Sequence, residues 1–234
     1  MQTVILCGGR GVRAWPATAE VPKPMLEVAG RPVLHHVMQI YAAQGCTDFV
    51  LATGYRGDVI ARWAAGLTEG WTVTCLDTGD DTDTGDRIRA CAERIDGVFM
   101  ATYGDGLGDV DLHALRECHA SHPGGATVTV VPLPSQYGTI DSDHDGRVTR
   151  FREKPVLHDH WINAGFMVFD PEVLLATSGS SLERDVLPAI GSSGGLYVYR
   201  HEGFWRSMDT HKDAVDLNTL AVEEGAPWLT LPTR

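Results

Sequence analysis

The chain has 234 residues, 43% of them hydrophobic, and a formal charge of −12. That length and apolar content allow a packed core and exclude a disordered chain. The acidic balance excludes a general nucleic-acid binder, which presents a basic face; any phosphate pocket needs cations placed locally.

In chain order, Thr3–Cys7 is a short apolar run closed by Gly8-Gly9-Arg10-Gly11. It predicts a buried parallel strand running into a glycine-rich turn. Such glycines let backbone N–H groups approach an anion. Arg13 and Lys23 add positive charge beside the turn, so the opening stretch reads as a polyphosphate site. The spacing is not that of an ordinary P-loop. Gly9-x-Gly11-x-x-Ala14 fits a loose dinucleotide fingerprint, but Pro16, Pro22 and Pro24 oppose the long helix it requires. The second strand also ends in Thr53-Gly54 without an acid. A plain glycine-rich turn between strand and helix is the alternative.

Helical spacing runs from Pro32 to Gln44 and stops at Gly45. Strands are predicted over Asp48–Thr53, Trp71–Leu76 and Val98–Thr102, with helices over Val59–Ala65, Ile88–Ile95 and Leu112–His122. This alternation predicts an α/β, Rossmann-like, mostly parallel twisted sheet with helices on both faces. Ligands then sit at the carboxyl ends of the strands.

The second half is richer in strands: Ala126–Leu133, a strand–turn–strand over Tyr137–Phe151, Trp161–Phe169 and Gly195–Arg200. Helices are predicted over Leu182–Ile190 and Lys212–Glu224. Asp141–Gly146 resembles a calcium loop but lacks its closing acid, and reads as a hairpin turn. No repeat or low-complexity linker interrupts the chain. The five cysteines show neither C-x-x-C pairing nor zinc spacing, and read as reduced thiols of a cytoplasmic protein. No signal segment leads the chain, and no apolar run has membrane-spanning length.

Two aspartates stand where chemistry is expected. Asp105, in Tyr103-Gly104-Asp105-Gly106, falls at the carboxyl end of a predicted strand; a tight turn is its plain alternative. Asp209, in Phe204–Thr210, follows another apolar segment; its alternative is to cap the next helix. If the two meet, they fit one Mg²⁺ together with phosphate oxygens and water. Lys154 would clamp a second phosphate and Glu153 would accept hydrogen bonds from hydroxyls, unless both belong to a solvated charge run. Asn163, beside small residues on a strand, suits sugar recognition. His113, His119, His122, His158 and His160 form no convincing metal set and read as surface histidines. No Ser-His-Asp signature is present.

Taken together, these stretches resemble the sugar-1-phosphate nucleotidyltransferases, nearest the glucose-1-phosphate cytidylyltransferase branch. The matching segments are Gly8–Arg13, Pro22–Met25, Leu76–Gly79, Thr102–Gly106, Glu153–Pro155, Ile162–Gly165 and Gly203–Thr210, in the family's order over nearly the whole chain. The resemblance implies one domain over residues 1–234, with 1–125 mainly nucleotide-binding and 126–234 mainly acceptor-binding. It implies a Rossmann-like sheet with a smaller β-rich sugar-binding part. A sugar 1-phosphate would attack the α-phosphate of CTP, releasing pyrophosphate and forming a nucleotide sugar.

By the same resemblance, Arg13, Lys23, Asp105, Lys154 and Asp209 carry catalysis, and Asp105 and Asp209 hold Mg²⁺. Leu6, Gly8, Gly9, Gly11, Val12, Arg13, Lys23, Thr84, Gly85, Tyr103 and Gly104 would bind nucleotide. Tyr137, Gly138, Glu153, Lys154, Asn163, Gly165 and Trp205 would bind the acceptor. The implied partners are a nucleoside triphosphate and a phosphorylated small molecule, with no nucleic acid and no membrane; a homo-oligomer is compatible with it. Val12 replaces a usual Thr, Asp86 replaces a usual Gly and would bring an anion near the base, and the segments Ala65–Trp71 and Val156–His160 depart from the branch. Those departures leave the acceptor and the oligomeric state open; the alternatives to the CTP reading are UTP, dTTP or GTP, a non-glucose or phosphonate acceptor, and a non-catalytic nucleotide-binding regulator of the same fold.

Overall fold

The computed structural model describes residues 1–11, 18 and 21–230. Along the first half, β1 spans Gln2–Leu6, α1 Val33–Ala42, β2 Asp48–Thr53, α2 Gly57–Ala64 and β3 Thr72–Asp77. Then come α3 Thr84–Ala92, β4 Phe99–Tyr103, β5 Gly106–Gly108 and α4 Leu112–Ala120. The second half holds β6 Ala126–Pro134, β7 Thr139–Ser142, β8 Val148–Arg152, β9 Val156–Phe169 and α5 Pro171–Ala176. It closes with α6 Leu187–Ser192, β10 Leu196–Arg200, β11 Trp205–Ser207 and α7 His211–Glu223.

The main sheet has seven strands in the order β10-β6-β9-β4-β1-β2-β3. Only β9 runs antiparallel to its neighbours in that sheet; the remaining pairs are parallel. Alternate side chains of β1 enter opposite faces, as a period of two requires. Ile5 and Cys7 pack with Leu34, Val37, Met38 and Tyr41 of α1. Val4 and Leu6 pack with Ile88 and Cys91 of α3, Leu174 of α5 and Ile190 of α6. Helices therefore cover both faces, as the βα alternation predicts.

The order of the strands positions the site. From β1 the chain moves outward through β2 and β3, then crosses back to place β4 on the other side of β1. Strands β1 and β4 flank this reversal, and the loops that leave them line one crevice at the carboxyl ends of the strands. The Gly104 N–H donates to Leu6 O at 3.1 Å, so the two loops leave the sheet side by side.

Several boundaries differ from the sequence reading. Helix α3 starts ahead of Ile88 because the Asp83 carboxylate accepts the Thr84 N–H and caps it. The helix expected over Leu182–Ile190 opens as a π turn over Leu182–Val186, in which the Val186 N–H donates to Ser181 O. Strand β9 begins at Val156, pairing with Pro134, ahead of the start expected at Trp161. His119, expected at the surface, is buried, with Nδ1 3.0 Å from Thr127 Oγ1. The Asp141–Gly146 turn is a hairpin between β7 and β8: Asp143 Oδ1 accepts the N–H groups of Asp145 and Arg147. No helix among the described residues is long and apolar enough to cross a membrane.

Candidate active site

Lys23 is the centre of the crevice. It opens a short 3-10 turn, Lys23–Met25, with Pro22 before it and Pro24 within it. The two rings fix φ on either side and leave the lysine little backbone freedom. Its stem is buried, and Nζ lies 2.5 Å from Asp105 Oδ2 and 2.7 Å from Asp209 Oδ1. Two aspartates from distant parts of the chain thus meet on one cation.

A short antiparallel ribbon makes that meeting. Strands β5 and β11 pair Gly108 with Trp205, Leu107 with Arg206 and Gly106 with Ser207. One step further the Met208 N–H donates to Asp105 O at 2.9 Å. The ladder register therefore delivers Asp209 to the same place as Asp105. Asp209 is spared the capping role: the N-cap of α7 is Thr210, in a reciprocal capping box with Asp213. The Ser207 hydroxyl donates to Asp209 Oδ2 at 2.9 Å and orients it.

The pair fits a divalent cation. Both carboxylates reach the same point, where the Lys23 ammonium already holds positive charge. Magnesium is commonly held by one or two carboxylates, with water and phosphate oxygens completing its shell. No group of three His, Cys, Asp or Glu side chains at metal spacing occurs among the described residues, so the remaining ligands would come from substrate and solvent.

Beside Lys23 lies a cavity of about 300 Å³. Leu6, Gly8, Gly9, Gly11, Lys23, Thr84, Tyr103 and Gly104, all expected to bind nucleotide, line it together with Asp105. Gly85 does not; its N–H donates to Ser180 O beneath the wall. Val12 and Arg13 lie outside the described residues. Hollows of about 420 and 600 Å³ lie elsewhere, but neither is lined by Lys23, Asp105 or Asp209.

Two glycines of the opening loop are there for space. A Cβ on Gly8 would stand 2.0 Å from Arg87 Nη1, and one on Gly11, whose φ is +59°, would stand 2.7 Å from Lys23 Cβ. Arg87 is a wall residue that sequence reasoning did not single out. Its buried guanidinium donates to Thr53 O (2.5 Å), Thr82 O (2.7 Å), Gly79 O (3.1 Å) and the Thr78 hydroxyl. It thereby ties the ends of β2 and β3 to the start of α3. Burial pulls its pKa below the ordinary arginine range. Asp86, expected to bring an anion toward the base, instead pairs with Arg89 Nη1 at 3.2 Å and does not line the cavity. Cys7, under the loop, is buried, and that burial pushes its thiol far above the ordinary range.

The acceptor side is built on a bulge. The register of β9 against β6 shifts between Asn163 and Met167, and both Gly165 and Phe166 have positive φ. Bulges re-aim side chains next to active sites. Here the bulge brings Asn163 Nδ2 to 3.3 Å from the Tyr103 hydroxyl, while Asn163 Oδ1 accepts the Gly165 N–H at 2.9 Å. A Cβ on Gly165 would stand 3.0 Å from the Tyr103 ring. The Trp205 indole N–H is spent on Ala164 O, at 2.9 Å, and so supports the bulge. The Tyr103 hydroxyl donates to Glu183 Oε1 at 2.6 Å, a second partner that sequence reasoning missed.

Other expected acceptor residues sit on the outlying hairpin. A Cβ on Gly138 would stand 3.0 Å from Glu153 Oε2, so these two face each other. Tyr137 is 78% exposed. Lys154 has φ +45°, a strained conformation of the kind that collects at functional sites, and no described carboxylate pairs with its ammonium.

Comparison with known proteins identifies the family. The nucleotidyl transferase profile matches residues 2–224. The chain belongs to that family. This nucleotidyl transferase is 36% identical to the glucose-1-phosphate cytidylyltransferase of Salmonella typhimurium, over 98% of this chain and 99% of that one. It is 32% identical to the mannose-1-phosphate guanyltransferase of Hypocrea jecorina, over 100% of this chain and 68% of that one. Its fold is shared with HddC from Yersinia pseudotuberculosis complexed with GMP-PN, with a TM-score of 0.73 and 23% identity over 93% of this chain and 98% of that one.

Proposed function

We propose that this nucleotidyltransferase joins CTP to glucose 1-phosphate or a close analogue, releasing pyrophosphate. The observation that carries the reading is the convergence of Asp105 and Asp209 on Lys23 at the mouth of the glycine-lined cavity. The full-length similarity to a glucose-1-phosphate cytidylyltransferase favours CTP.

The residues take roles that follow from charge and place. The backbone from Gly8 to Gly11 admits the triphosphate closely, and Arg13 would hold the departing pyrophosphate. Lys23 turns its ammonium to phosphate oxygens at the reacting phosphorus. Lys154 anchors the acceptor's phosphate, and Glu153 and Asn163 meet its hydroxyls. The attacking oxygen needs no protein base, because a phosphate monoester with a second pKa near 6 is already ionised at neutral pH. Positioning and charge neutralisation are what remain for the protein to supply. Asp105 and Asp209 would hold Mg²⁺, which when bound neutralises charge on the phosphates. On this reading residues 1–125 supply the nucleotide wall and 126–234 the acceptor wall.

The similarity to a mannose-1-phosphate guanyltransferase across the whole chain favours a second reading, GTP with a mannose 1-phosphate acceptor. Pyrophosphate release decides between them. The protein is incubated with Mg²⁺, each of the common nucleoside triphosphates and a panel of sugar 1-phosphates. Release with CTP and glucose 1-phosphate supports the first reading, and release with GTP and mannose 1-phosphate the second. Nucleotide binding without release from any pair points to a non-catalytic regulator.

A further inference from the structure

Glu183 joins the two walls of the crevice. Its segment is fastened to the nucleotide side: Ser180 O accepts the N–H groups of Gly85 (2.7 Å) and Asp86 (3.2 Å), and the Leu182 N–H donates to Thr84 Oγ1 (2.9 Å). The Thr84 hydroxyl, having accepted that N–H, donates its own hydrogen to Glu183 Oε2 at 2.8 Å. The Ser181 hydroxyl reaches the same oxygen at 3.3 Å. The other carboxylate oxygen takes the Tyr103 hydroxyl. Three hydroxyl donors from three segments therefore end on one side chain.

The order of protons along this chain of contacts follows from the donor inventory. A carboxylate only accepts. The single phenolic hydrogen of Tyr103 is committed to Glu183, so what Tyr103 offers Asn163 is a lone pair. The atom of Asn163 that meets it must be the donor Nδ2, which leaves Oδ1 for the Gly165 N–H. The amide is pinned at both ends, with one N–H and one lone pair left for a ligand.

We propose that Glu183 is a positioning residue that, through Tyr103, fixes the hydrogen-bond polarity of Asn163 and so the hydroxyl pattern the acceptor site admits. The proposal rests on the reading that Asn163 meets an acceptor hydroxyl. Without Glu183 the phenolic hydrogen is free to turn toward Asn163, and the amide loses one of its two anchors.

Steady-state kinetics with CTP and glucose 1-phosphate test it in Glu183→Ala, Glu183→Gln, Tyr103→Phe and the Glu183→Ala/Tyr103→Phe double variant. In Glu183→Ala the acceptor KM rises about tenfold, while the CTP KM moves less than about twofold. Preference for glucose 1-phosphate over its ring-hydroxyl epimers narrows. Glu183→Gln recovers most of the loss, because its amide oxygen still accepts the phenolic hydrogen. Tyr103→Phe matches Glu183→Ala, and the double variant is no worse than either, as members of one chain of contacts require. Equal rises in both KM values, or a Gln variant as impaired as Ala, overturn the proposal.

Inactivity of the wild type with every substrate pair would count against the proposed function, and a second measurement then decides about Glu183. The chain has two asparagines, Asn163 and Asn218, so [¹⁵N]asparagine labelling gives two side-chain amide pairs. Glu183→Ala shifts the Asn163 pair and leaves the Asn218 pair in place. An Asn163 pair that does not move overturns the proposal whatever the activity.

Discussion

Replacing Lys23 with methionine keeps the buried stem and removes only the charge between the two aspartates. The lysine side chain is 10% exposed and the carboxylates 24% and 28%, so water screens the site weakly. Two oxygens bound to one nitrogen at 2.5 and 2.7 Å face each other across a short gap. At roughly 5 Å and an effective dielectric constant of about 20, two like charges repel by about 3 kcal/mol. The metal-free Lys23→Met protein should therefore melt about 6 to 12 °C below wild type. Added Mg²⁺ relieves the same repulsion. Its affinity should rise about a hundredfold in the variant, since 1.4 kcal/mol is a factor of ten. Turnover should nevertheless fall, because the ammonium proposed to meet the phosphates is gone. Thermal melting in EDTA and in Mg²⁺, with calorimetric Mg²⁺ titration, measures both effects, and Lys212→Met on the exposed side of α7 is the control. Equal Mg²⁺ affinity in wild type and Lys23→Met would refute the reasoning.

Asp105→Asn and Asp209→Asn should each lower turnover by about a hundredfold or more and weaken Mg²⁺ binding; full activity in both would remove them from the metal site. Gly8→Ala sets a methyl group against a guanidinium held by several carbonyls, and should cost about 1–3 kcal/mol in urea unfolding; an unchanged midpoint would mean that Arg87 yields freely. His36 is held neutral, its Nε2 on Val28 O at 2.7 Å and its Nδ1 accepting the Trp228 indole N–H at 3.3 Å. Burial lowers its pKa below the ordinary 6.5, so the unfolded chain binds the extra proton and stability should fall as pH drops below that value. Urea unfolding from about pH 7 to about pH 5 measures the slope; His36→Gln, which keeps one donor and one acceptor, should flatten it, and an equal slope in that variant would exclude His36 as the cause.

Much of the backbone was legible because its signals are local. The apolar run Thr3–Cys7, the helical spacing after Pro32 and the alternation of strands and helices specify a parallel α/β sheet, and the reversal of strand order then places ligands at the carboxyl ends. Asp105 could be placed near the crevice from its position after a strand. Three features left no such signal. The strands β5 and β11 are three residues each and show no useful alternation. The π turn over Leu182–Val186 reads as ordinary helix. Arg87 lies in a polar helix start, where a buried guanidinium and a solvated one look alike in sequence.

The sequence by itself determined the strand–glycine turn, the stiff Pro22-Lys23-Pro24 segment, the βα alternation and the residue types able to handle phosphate. Only the tertiary structure decided that Asp105 and Asp209 meet on Lys23, that Thr210 rather than Asp209 caps α7, and that Glu183 reaches Tyr103. The physical reason is the range of the forces involved. Turn and helix preferences are settled within a few residues, whereas the register of one strand against another far away in the chain is set by packing and hydrogen bonds that no short stretch contains.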